Sequence, residues 1–136
     1  VSYGVAAALQ AAVYQRLAGD AALAGLVGGA IYDAVPPGPL PETYVSLGEE
    51  DARDRSDMTG DGALHSFTVS VVTTVAGFAG AKAAAGAISD ALVDADMALS
   101  RGILVSLTFD RARARRVEDG DVRRIDLTFR ARVDDQ

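Results

Sequence analysis

The sequence predicts an α+β domain: a mainly antiparallel sheet of about four to five strands with helices packed on it, ending in a long C-terminal β-hairpin. Three observations carry this. Apolar residues recur at helical spacing near the start and again over 77–93. "HSFTVSVVTTV" at 65–75 alternates as a strand does. Beyond residue 103 two alternating stretches flank the turn sequence "EDGD". The predicted order is α-α-β-β-β-α-β-β. A chain of 136 residues fits one domain, 1–136, with a single core.

Each element has its own signal. Over 2–18, Val5, Leu9, Val13 and Leu17 form a stripe with Ala8 and Ala12 beside it, and Gly19 ends the helix. Asp20 is placed to cap a short second helix, "AALAGLV", which Gly28 and Gly29 stop. "AIYDAV" is a short extended piece. "PPGPLP" then holds all four prolines. It cannot extend a helix or join a central strand, so it reads as a stiff connector; a PxxP ligand is the weaker alternative. "TYVSLG" is a strand. The stretch 48–62, "GEEDARDRSDMTGDG", has no periodicity and reads as a long polar loop between two strands. The 77–93 helix sets Phe78, Ala81, Ala85, Ile88 and Leu92 on one face, with slim flanks that allow close packing on a sheet.

The hairpin has a readable register. With Val117 facing Val122, Ala114 faces Ile125 and Ala112 faces Leu127, and these form a buried face with Phe129, Ala131 and Val133. The apolar positions change phase between Phe109 and Ala112. A β-bulge near Asp110 would restore the alternation. The opposite face carries Arg111, Arg113 and Arg115 from one strand and Arg124, Asp126, Thr128, Arg130 and Arg132 from the other. Arg113 lies across from Asp126, a plausible pair. Arg115 lies across from Arg124, where like charges repel.

Those arginines sit in an acidic chain of net charge −6. Residues 103–136 hold eight basic and seven acidic side chains, whereas residues 1–102 hold five and twelve. Three readings of the arginine face compete: a solvated sheet face, a nucleic-acid surface and a protein interface. Nucleic-acid binding usually brings a basic domain or aromatic residues among the basic ones. Here tryptophan is absent and Ile125, Leu127 and Phe129 point the other way. The interface reading is favoured, because arginine holds carboxylates bidentately. The acidic stretch supplies them: Glu49, Glu50, Asp51, Asp54, Asp57 and Asp61. Copies set head to tail in a ring could join the two.

Signals for chemistry are weak. There is no cysteine, which excludes disulfides and thiolate metal sites. His65 is the lone histidine, and its place at a strand start reads as a surface or capping residue. "GFAGAK" lacks phosphate-loop spacing. "DARDRSDMTGDG" has arginines where calcium ligands should stand. No catalytic, metal or cofactor site is expected, and no apolar run is long enough to span a membrane. The first residues lack the basic start of a signal peptide.

The order of pieces resembles a known family. A helix is followed by "DAALAGLVGGAIYDAVP", the prolines, "YVSLG", a charged stretch, "HSFTVSVVT", an alanine-rich helix and "RRIDLTFRARV". This pattern is similar to the tail terminators (tail-completion proteins) of long-tailed phages and phage-like gene transfer agents, the gene transfer agent version nearest. The resemblance implies a structural protein. Such proteins form a ring, usually a hexamer, on the head-proximal end of the tail tube. They stop tube growth and meet the head–tail connector, and DNA passes through the lumen. The expected partners are therefore further copies, the tail tube protein and the connector protein, with DNA only in transit. The expected location is the cytoplasm during assembly and then the neck of the particle. On that reading the acidic stretch lines the lumen or pairs with a neighbour's arginines. A head–tail connector subunit and a DNA-binding accessory protein are the alternatives.

Overall fold

The computed structural model describes residues 3–54 and 62–135. A single 3-10 turn, Tyr3–Val5, leads into helix α1, Ala6–Ala18, and α2 spans Ala21–Val27. Strand β1 is only Ile31–Tyr32. Strands β2, Thr43–Asp54, and β3, Gly62–Thr73, precede α3, Ala79–Leu92. The hairpin is β4, Ile103–Val117, and β5, Val122–Asp134. The predicted fold class and element order hold.

The five strands lie in the order β1-β2-β3-β5-β4. Only β1 and β2 run parallel; every other neighbouring pair is antiparallel. The alternating residues of β3 and β5 explain the core. Phe67, Val69 and Val71 join Ile125, Leu127, Phe129, Ala131 and Val133 in one buried face. The helices cover that face. From the 3-10 turn comes Val5, from α1 come Leu9, Val13 and Leu17, and from α3 come Ala81, Ala84, Ala85, Ile88 and Leu92. The alanines of α3 let its backbone sit close to the sheet. Arg16 of α1 donates to the Ala91 carbonyl at 2.9 Å, tying α1 to the C-terminal end of α3. Asp20 caps α2 as expected, accepting from the Leu23 N–H at 2.9 Å. Gly28 takes the left-handed conformation that ends it.

The structure corrects three expectations. The acidic stretch is not a loop throughout: β2 continues to Asp54, with a bulge between Leu47 and Glu50. That bulge breaks the alternation, and of the inward positions beyond it Glu50 and Asp54 are charged and only the small Ala52 is apolar. His65 is no surface residue. It is fully buried within β3, paired with Ala52 and Ala131. Ala112 and Ala114 have the expected register but are exposed. They face the helix side, yet the helical layer reaches β4 only near Leu107, which is buried, and leaves the strand beyond it exposed.

Candidate protein interface

The face of the sheet away from the helices carries the charge. The β5 alternation that buries Ile125, Leu127 and Phe129 turns Arg124, Asp126, Thr128 and Arg130 outward. A bulge between Phe109 and Arg111 brings β4 into phase, as the sequence predicts. Arg111, Arg113 and Arg115 then stand across from Thr128, Asp126 and Arg124.

Asp126 organises the centre of this face. It accepts from Ser70 Oγ at 2.6 Å, from Arg124 Nε at 2.8 Å and from Arg115 Nη2 at 3.3 Å. The like-charged Arg115–Arg124 pair is thus held by one carboxylate between them. The anticipated Arg113–Asp126 pair does not form, because Arg115 reaches the carboxylate instead. Burial pushes the Asp126 carboxyl up, but the hydrogen bonds from Ser70 and Arg124, the Arg124 charge and the Arg115 contact outweigh it. The net result lies below the ordinary carboxylate range.

Around this node lies a concave basin of about 470 Å³. Arg111, Arg113, Arg115, Arg124, Asp110 and Asp126 line it, and Gly48 and Glu49 of β2 close its far side. Arg130 sits beyond, 3.5 Å from Asp110, and Arg132 is 3.6 Å from Asp134. Among the described residues Arg111 and Arg113 make no ion pair, so their guanidinium groups have charge to offer a partner.

The acidic residues divide. Glu49 borders the basin, and Asp51 lies further along β2 beside Arg53, at 3.5 Å. Glu50 points to the helix side, where Tyr3 Oη donates to it and His65 Nδ1 lies 3.3 Å away. The hydrogen bond to Glu50 and then the Glu50 charge raise the Tyr3 hydroxyl above its ordinary value. Sequence reasoning missed this Tyr3–Glu50–His65 cluster, which no spacing along the chain foretells. Asp54 ends β2, while Asp57 and Asp61 lie outside the described residues.

Among the described residues no three His, Cys, Asp or Glu side chains are placed to hold a metal ion. No described helix is long and apolar enough to cross a membrane.

The fold and this face define a small α+β protein with an open, charge-divided sheet. Comparison with known proteins makes that particular. Residues 11–134 match the model of the family "Tail completion protein gp17", and the chain belongs to that family. A chain in the solved structure "Virion of native gene transfer agent (GTA) particle" is 70% identical, with a TM-score of 0.93. The match covers 98% of this chain and 99% of that one. No match was found among curated proteins.

Proposed function

We propose that this protein is a structural, non-enzymatic component of a phage-like particle, folded as one domain over 1–136. In this reading it forms a ring, six-membered as in the tail terminators it resembles. The ring caps the head-proximal end of the tail tube, stops tube growth and joins the tail to the head connector. DNA passes through its lumen. Its place is the cytoplasm during assembly and the neck of the finished particle. The observation that carries this reading is the 70%-identical chain in the gene transfer agent virion, matched over nearly the whole length of both chains. The arginine face supports the same reading. Arg124, Arg115 and Asp126 hold one another in place, so Arg111 and Arg113 are presented from a braced surface.

The test is electron microscopy of particles from cells lacking the gene. The expected result is overlong or irregular tubes beside heads without tails. Particles of normal form would refute the reading. Tubes of normal length that fail to join heads would assign the protein to the connector instead.

A further inference from the structure

We propose that the subunits join edge to edge, strand β4 of one copy pairing with the outer edge of β2 of the next, so that one sheet continues from copy to copy. The inference rests on the ring reading and names its joint.

Among the described residues both edges of the sheet are largely open, and they differ; on β4 only the Leu107 carbonyl is taken, by the Asp94 N–H at 2.9 Å, which leaves the length that carries Arg111 and Arg113. On one side β4 is the last strand, fifteen residues long. On the other, β1 pairs with β2 only at Val45 and Ser46. Among the described residues no strand lies outside Leu47–Arg53. A long open edge is a template for another strand. On β4 it comes with uncovered apolar surface: Ile103, Val105 and Phe109 are 53%, 56% and 45% exposed. Ala112 and Ala114 add to it on the helix side.

Charge selects the occupant. Arg111 and Arg113 stand on the β4 edge, and Glu49 and Asp51 on the β2 edge. Two β4 edges would set arginine against arginine, and two β2 edges carboxylate against carboxylate. Only unlike edges match, which dictates a head-to-tail joint between copies and disfavours a two-fold dimer. Strand direction agrees. Since β2 and β3, β3 and β5, and β5 and β4 are each antiparallel, β4 runs opposite to β2. A rotation that carries one copy beside the next therefore makes the new pair antiparallel, and a register that sets Arg111 opposite Asp51 also sets Arg113 opposite Glu49.

Complementation in the deletion strain tests this. One variant carries Glu49→Lys and Asp51→Lys; the other carries Arg111→Glu and Arg113→Glu. These side chains are exposed, and among the described residues the only ion pair lost inside the chain is the solvated Asp51–Arg53 contact. Each variant alone is expected to leave fewer than about a tenth of particles normally tailed, the loss expected when like charges face each other at every joint. Expressed together they should restore normal tails, because the reversed β2 edge of one fits the reversed β4 edge of the other. Normal tails from either variant alone, or failure of the mixture, would overturn the joint while leaving the deletion phenotype intact. A second test uses the absence of cysteine. Asp51→Cys with Arg111→Cys should link neighbouring copies into a disulfide ladder within particles. Within one chain these positions lie three strand spacings apart, about 14 Å, too far to bridge. Particles whose chains remain unlinked under oxidation would likewise reject it.

Discussion

At Asp126 one carboxylate serves four purposes: it accepts from a serine and two arginines and neutralises a like-charged cross-strand pair. Its lowered pKa links it to stability. The contribution is complete above the ordinary carboxylate pKa and is lost as pH falls through the depressed folded value. Asp126→Asn is therefore expected to lower the melting temperature at pH 7, and the gap from wild type should narrow as pH drops below about 4. Melting curves across that range would show it; a gap independent of pH would remove the linkage. His65 shows where single residues escape sequence reasoning. Its neighbours in the chain, Leu64 and Ser66, say nothing of Glu50 or Tyr3, which reach it only after β2 pairs with β3. Its Nε2 is buried without a hydrogen-bond partner among the described residues. An isolated histidine gives no sign of this in a sequence.

Among the elements, the hairpin was the most legible. The pairing next to its turn and its bulge at Asp110 follow from counting apolar positions outward from the turn; a second bulge, between Leu104 and Ser106, does not. What counting could not reveal was depth. Ala112 and Ala114 alternate like core residues, but burial depends on how far the helices extend over the sheet, and no local pattern encodes that. The second half of β2 was illegible for a different reason: its inward positions are Glu50, Ala52 and Asp54, so its alternation makes almost no hydrophobic signal. β5 is the element on which the sheet depends. Phe129 is fully buried, with ring centroids 5.7 Å from Phe67 and 5.9 Å from Phe109. Phe129→Ala is expected to cost about 3–5 kcal/mol in denaturant unfolding. A loss under about 1 kcal/mol would mean that the neighbouring rings collapse into the space.

For the whole molecule, charge decides what it can approach. With a net charge of −6, the free protein is expected to be repelled by duplex DNA at physiological salt despite its eight clustered arginines. A mobility shift that weakens steeply with added salt would contradict this and favour the DNA-binding alternative. The fold class and the candidate arginines were legible because both depend on period-two patterning. Which edges stay open was not, since that depends on where β1 stops. It stops at Tyr32, and Pro36, Pro37, Pro39 and Pro41 follow within nine residues. Proline has no N–H to give to a ladder. The connector therefore cannot zip along β2 and satisfy its outer edge from within. If the subunits join edge to edge as proposed, the prolines act as a reserved berth: the chain is barred from docking on itself, and the mooring is kept for the next copy.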